Sequence, residues 1–167
     1  GALEVVTEGD GYAMTLPRKT LSPSVPPAGL VVALGGAPVE WLVGEREYAA
    51  VYRSEAEVRA LRPDTGAFLA LDRSYVIATA PGERTDFVLR FFAPAVGVDE
   101  DPVTGSAQTT TAPWWAARLG KDTLTCHQAS ARGGLLRSTV LSDTVRVSGS
   151  CVLYLEGSIM VPRPRNE

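Results

Sequence analysis

The 167-residue chain predicts an α+β fold in which a mixed or antiparallel sheet wraps round one central helix. Three observations carry that prediction. The run Ala107–Ala112 is small and semi-apolar, as a helix enclosed by a sheet must be. Everything after Gly120 reads as a succession of short strands separated by turn signals. Before residue 97, helical patterns are few and brief among β-branched and aromatic runs.

In chain order, Leu3–Thr7 and Tyr12–Leu16 read as strands joined through Glu8-Gly-Asp-Gly11, a hairpin signal. Pro17–Gly29, with Pro17, Pro23, Pro26 and Pro27, reads as a connecting loop. Leu30–Leu34 is apolar and fits strand or helix. Trp41–Val43 and Tyr48–Tyr52 read as strands. Ser54-Glu-Ala-Glu57 is a capping box opening a helix that turns Val58 and Leu61 inward and stops at Pro63-Asp64. A second short helix follows, with Phe68 and Leu71 on one face. Tyr75–Thr79 and Asp86–Phe92 are strands about a Pro81-Gly82 turn.

Ser106 is expected to open the central helix, with Ser106 or Thr104 as its cap. Pro113 predicts a break there, because a proline inside a helix costs about 3 kcal/mol. A second helix then runs to Leu119 with Gly120 as its C-cap, and only one of Trp114 and Trp115 can pack deepest. Strands are expected at Thr123–Gln128, Leu135–Leu141, Thr144–Ser148 and Cys151–Glu156, with a further one at Ser158–Val161. The Pro-Arg-Pro-Arg stretch after Val161 reads as a disordered or expression-derived tail.

Hydrophobic residues make up 45% and charged residues 21%, the balance of a water-soluble globular domain, with the cytoplasm as default compartment. The net charge of −3 argues against nucleic acid or an anionic membrane as partner. No run approaches the roughly 18 apolar residues of a membrane span, and no signal peptide opens the chain. The start at Gly1 suggests a trimmed terminus. Cys126 and Cys151 lack metal-ligand spacing and read as buried free thiols. No nucleotide, flavin or metal motif is present, so no cofactor is expected.

The chemistry is expected at Asp99-Glu-Asp-Pro-Val-Thr-Gly-Ser-Ala-Gln108. Gly105 lets backbone N–H groups approach a ligand closely, and the start of the following helix favours an anion. Asp101 beside it is a candidate for proton transfer or for orienting an amine, while Asp99 and Glu100 are expected to face solvent. The plain alternative is an acidic loop that ends in an ordinary cap. Arg132 either reaches a carboxylate from the rim or pairs with surface acids. His127 reads as structural, with no base-orienting partner in sight.

Arg90-Phe-Phe-Ala-Pro94, Gly97-Val-Asp-Glu-Asp-Pro-Val-Thr-Gly-Ser-Ala107, Trp114-Trp-Ala, Leu119-Gly-Lys121 and Gln128-Ala-Ser-Ala-Arg-Gly-Gly134 occur in that order. The series resembles the carboxy-terminal half of the phenazine-biosynthesis PhzF-like family, within the diaminopimelate-epimerase fold. The resemblance implies cofactor-independent isomerisation by proton transfer between two facing domains, on a small amino- or hydroxy-carboxylate in secondary metabolism. It gives Asp101 and Ser106 the catalytic positions, and Gly105, Ser106, Ala107, Gln108 and Arg132 the substrate-binding ones. Gln108 stands where many relatives carry His. The family's Ser-Glu-Thr-like motif, whose Glu is the principal acid/base, and its Gly-His segment are both missing here. The expected organisation is a hairpin over 1–16 from the end of an amino-terminal domain, a carboxy-terminal domain over 17–161, and a tail over 162–167. By this reading the chain is one wall of a cleft, from a longer protein or a split enzyme, inactive alone and prone to self-association. The alternative is a non-catalytic small-anion-binding or self-associating domain.

Overall fold

The protein is described here by a computed structural model that covers residues 3–160. Eleven strands form one sheet: β1 Val5–Glu8, β2 Gly11–Pro17, β3 Ser22–Pro23, β4 Glu40–Val43, β5 Glu47–Val51, β6 Tyr75–Pro81, β7 Phe87–Ala93, β8 Val98–Asp101, β9 Thr123–Gln128, β10 Gly134–Val140 and β11 Thr144–Ser150. The helices are α1 Leu30–Leu34, α2 Glu55–Ala60 and α3 Gln108–Leu119, with 3₁₀ turns at Thr65–Ala70 and Pro94–Val96. Strand order is β1-β2-β11-β10-β9-β7-β6-β5-β4-β3, and β8 pairs with the far end of β7. Two pairings, β5–β6 and β7–β9, are parallel and the rest antiparallel, so the sheet is mixed. Each parallel pair requires a crossover, supplied by α2 in one case and by β8 with α3 in the other.

The central strands are buried on both faces, and their period of two sorts side chains between two cores. Ala49, Val51, Ile77, Phe87, Leu89 and Phe91 face α3, where they meet Ala112, Trp115 and Ala116. Tyr48, Ala50, Val76, Ala78, Val88 and Phe92 face the other way, against Leu30 and Leu34 of α1, Val58 of α2 and Phe68. The α3 core also takes in Val145 and Val147 of β11, Leu124 of β9 and Leu42 of β4, so the sheet curls round the helix from both sides. Fully buried Phe87 and Phe92 each contribute about 1.5–3 kcal/mol by leaving water.

The expected hairpin forms through Gly9 at φ 61°, and β2 then pairs along its whole length with β11. Leu30–Leu34 resolves as a helix. The capping box holds: Ser54 Oγ accepts from Glu57 N–H at 3.2 Å, and Val58 and Leu61 are buried. Trp115 is the deeper tryptophan, its ring stacked 5.8 Å from Phe87 and its Nε1 donating to Thr79 Oγ1 at 3.0 Å. Gly120 ends α3 at φ 67°.

Four expectations need correction. Pro113 does not break the helix, because the Thr109 carbonyl it leaves without a helical donor accepts from Lys19 N–H at 2.9 Å. Ser106 does not begin or cap α3; it is exposed within a turn over 105–107, and the helix starts at Gln108 without a side-chain cap. Residues 151–160 carry no strand, although Cys151–Glu156 and Ser158 onward read as β. The pairing of β11 with β2 ends at Gly11, opposite Ser150, and its pairing with β10 ends at Arg137, opposite Ser148, so neither ladder continues past Ser150. Val152 and Tyr154 are accordingly 91% and 97% exposed, and Cys151 is exposed rather than buried. Val161 and the tail over 162–167 lie outside the described residues.

Candidate active site at the start of α3

β8 is a strand the sequence reads as loop, and it fixes the acidic run. Phe91 pairs with Asp101 and Ala93 with Val98, with a bulge between. Glu100, expected in solvent, is instead gripped by Arg90, whose Nε and Nη2 each lie 2.8 Å from a carboxylate oxygen. The same guanidinium donates to Leu61 O at 2.9 Å, which ties β8 to the end of α2. Asp99 is exposed and accepts from Thr65 Oγ1 at 3.3 Å.

Asp101 is half-buried, and its Oδ2 accepts from Thr104 Oγ1 at 2.6 Å. Thr104 is therefore a brace of the loop, and not a cap of the helix. Its N–H donates to Gln128 Oε1 at 2.7 Å, and Gln128 Nε2 donates to Asp101 O at 2.5 Å and Thr104 Oγ1 at 3.0 Å. Ser130 adds a second strut, donating to Pro102 O at 2.8 Å while accepting from Gly133 N–H at 3.0 Å. Gly134 completes the seat, since a Cβ there would lie 2.3 Å from Val103 Cγ2. The two segments Asp99–Gln108 and Gln128–Gly134, far apart in the chain, thus form one hydrogen-bonded unit.

Beyond Thr104 the loop changes character. Among the described residues, nothing accepts from the N–H groups of Gly105, Ser106 or Ala107. Their carbonyls are used, with Gln108 N–H donating to Gly105 O and Thr109 N–H to Ser106 O, both at 3.1 Å. The buried hydroxyls of Thr109, Thr110 and Thr111 fold back onto the carbonyls of Ser106 and Ala107. The carbonyls at the start of α3 are thus satisfied, while three N–H groups at its positive end have no acceptor among the described residues.

The sequence-predicted residues do not converge on one hollow. Ser106 and Ala107 line a cavity of about 200 Å³ with Lys19, Arg46, Glu47 and Tyr75. Gly105 and Arg132 line a larger trough of about 800 Å³ on the other side of the loop, with Met14, Val103 and Gly134. Arg132 is exposed and, among the described residues, holds no ion pair, so the surface-pairing alternative for it is not realised. Gln108 belongs to neither hollow. Its side chain is fully buried, its Oε1 accepts from Ser138 Oγ at 3.1 Å, and its Nε2 has no partner among the described residues. It therefore supports the sheet from within and does not reach a ligand on the open side. Lys19, Arg46 and Gln128 are the residues that sequence reasoning missed. Gln128 alone carried a signal, since it opens one of the segments on which the resemblance rests.

Away from the loop, Cys126 is fully buried and its thiol is pushed up to about 12 by burial, so it is no nucleophile. His127 faces the opposite side of β9, where Arg59 Nη2 lies 2.8 Å from Nδ1. The guanidinium can only donate, so Nδ1 accepts and the ring proton sits on Nε2. Burial first, then the Arg59 charge, lower its proton affinity, with Glu55 opposing. This is the structural histidine the sequence suggests. No group of three or more potential metal-ligating side chains occurs among the described residues, nor any helix long and apolar enough to cross a membrane.

The mixed sheet with its few helices matches the fold of solved PhzF proteins. The PhzF-family protein of Enterococcus faecalis superposes with a TM-score of 0.86 at 34% identity, over 94% of this chain and 60% of that one. A PhzC/PhzF protein of Clostridium difficile gives 0.85 at 34%, over 95% and 61%. An uncharacterized isomerase of Pseudomonas aeruginosa is 45% identical over 159 residues, which are 95% of this chain and 61% of that protein. Residues 32–157 match the phenazine biosynthesis-like protein family, PhzC-PhzF. The chain belongs to that family. It spans about three-fifths of the length of the relatives it matches.

Proposed function

We propose that this chain supplies one wall of a cofactor-independent isomerase site that moves a proton on a small amino- or hydroxy-carboxylate. The observation that carries the reading is the set of three N–H groups at Gly105, Ser106 and Ala107 with no acceptor among the described residues. A ligand carboxylate in the smaller cavity satisfies those of Ser106 and Ala107, where Arg46 adds positive charge beside Glu47 and the Lys19–Glu45 ion pair. Asp101, held by the hydroxyl of Thr104 just before the turn, serves as the second group, receiving an amine or shuttling a proton. The principal acid/base comes from the part of the relatives that this chain does not span, in keeping with the missing Ser-Glu-Thr-like motif. In this reading residues 17–161 are the carboxy-terminal domain, and the 1–16 hairpin reaches it from the amino-terminal one and pairs into its sheet. Exposed Val5, Val152 and Tyr154 are then surface that a partner domain or a second copy covers. An open half-site lets solvent compete, so the chain alone should be a poor catalyst.

The test is an amide chemical-shift titration of Gly105–Gln108 with acetate. Binding in the millimolar range is expected, where ΔG is about −4 kcal/mol. Asp101→Asn should strengthen it by removing a like charge, and Ser106→Pro should abolish it by removing a donor. Flat shifts in the unsubstituted chain would leave the turn as a helix start without a ligand.

A further inference from the structure

The Gln128 side chain is 0% exposed and spans the gap between the end of β9 and the acidic loop. Its orientation follows from its neighbours. The Thr104 backbone N–H can only donate, so the Gln128 atom 2.7 Å from it is the carbonyl Oε1. The other end is then the NH₂ group, whose two hydrogens go to Asp101 O at 2.5 Å and Thr104 Oγ1 at 3.0 Å. A hydroxyl that accepts there spends its one hydrogen elsewhere, and the remaining neighbour is Asp101 Oδ2 at 2.6 Å. The relay therefore has one direction, from amide to hydroxyl to carboxylate. Oδ2 is committed as an acceptor, while among the described residues nothing donates to Oδ1.

We propose that Gln128 is a positioning residue for Asp101: it sets the polarity of this relay, so that Oδ1 alone is presented to the ligand as the accepting oxygen. The proposal rests on the carboxylate reading above and extends it to a ligand class. A zwitterion with its carboxylate on the Ser106 and Ala107 donors and its ammonium on Oδ1 suits the site better than a bare carboxylate. Gln128 never touches that ligand.

The experiment compares glycine with acetate in the amide titration of this chain, with the variants Thr104→Val, Thr104→Ser and Gln128→Leu. Glycine should bind about threefold tighter than acetate, the scale of an exposed ion pair. Thr104→Val, which keeps the backbone N–H, should erase that preference while leaving acetate affinity within about twofold, and Thr104→Ser should retain it. Gln128→Leu should also erase the preference. Equal affinities in the unsubstituted chain, or a preference that survives Thr104→Val, overturns the proposal. A second readout needs no ligand and no folded variant. A through-hydrogen-bond coupling between the Thr104 amide nitrogen and Gln128 Cδ, with slowly exchanging Gln128 Nε2 protons, is expected in the unsubstituted chain. Its absence overturns the relay even if acetate binds. Its presence with neither ligand bound would fault the carboxylate reading and leave the relay standing.

Discussion

The two helices that make the crossovers of this sheet begin in opposite ways. At α2, Ser54 Oγ accepts from Glu57 N–H, and the Glu57 carboxylate reaches back to Arg53 N–H at 2.8 Å, so the helix start closes on itself. At α3 no side chain caps, and the hydroxyl best placed to do so, on Thr104, is turned the other way to hold Asp101. Capping residues compete for the same donors that a ligand would use. A chain that caps one start with a Ser-x-x-Glu box leaves the donors of the other free for the carboxylate proposed above.

The difference can be broken most severely through what anchors the open helix. An uncapped start lacks the roughly 1 kcal/mol of a good cap, so α3 depends on packing, above all on Trp115 between Phe87 and Thr79. Trp115→Ala should lower unfolding free energy by about 3–5 kcal/mol in urea denaturation. A loss below about 1 kcal/mol would mean that α3 is held by something other than its tryptophan.

A smaller effect sharpens the contrast between the two serines. Ser54→Ala should cost about 1 kcal/mol and leave acetate binding untouched. Ser106→Ala should change stability by less than about 0.5 kcal/mol, because Ser106 is exposed and caps nothing. Equal stability losses in the pair, read from the same denaturation curves, would refute the distinction.

The smallest expected effect is one of pH, on the far side of α2. There Arg59 joins the helix to His127 while its Nε and Nη2 contact Glu55 at 2.8 and 2.6 Å. The folded histidine takes up its proton less readily than the unfolded one, for which the value is 6.5. Its contribution is therefore full above pH 6.5 and is lost as pH falls through the lower folded value. Glu55, held below its usual 4.5 chiefly by the Glu83 N–H, acts in a separate and more acidic window. Denaturation midpoints should fall between pH 7.5 and 5 in the unsubstituted chain, and His127→Gln should flatten that slope while carboxylate binding persists in both. An unchanged slope would remove His127 as its source.

What could be read from the residues alone was whatever depends on neighbours in the chain. The Glu8–Gly11 hairpin, the Ser54 box, the Gly120 cap and the span Thr123–Gln128 rest on turn chemistry, capping and a period of two, all local. The acidic loop was legible as a candidate site because Asp101, Gly105 and Ser106 lie within six residues. Tertiary structure decided the rest, because partners distant in sequence decided it. Pro113 stays inside α3 because Lys19, 94 residues upstream in the numbering, takes up the Thr109 carbonyl. Residues 151–156 have the composition of a strand, but strand is a property of a pair, and the ladders of β11 with β2 and β10 both stop before them. Glu100 is paired only because β8 lies against Arg90. Gln108 and Gln128 differ little as residues, yet one faces inward to Ser138 and the other holds Asp101. Burial and hydrogen-bond direction fix those roles, and both are set only once β9, β10 and the loop before α3 are brought together.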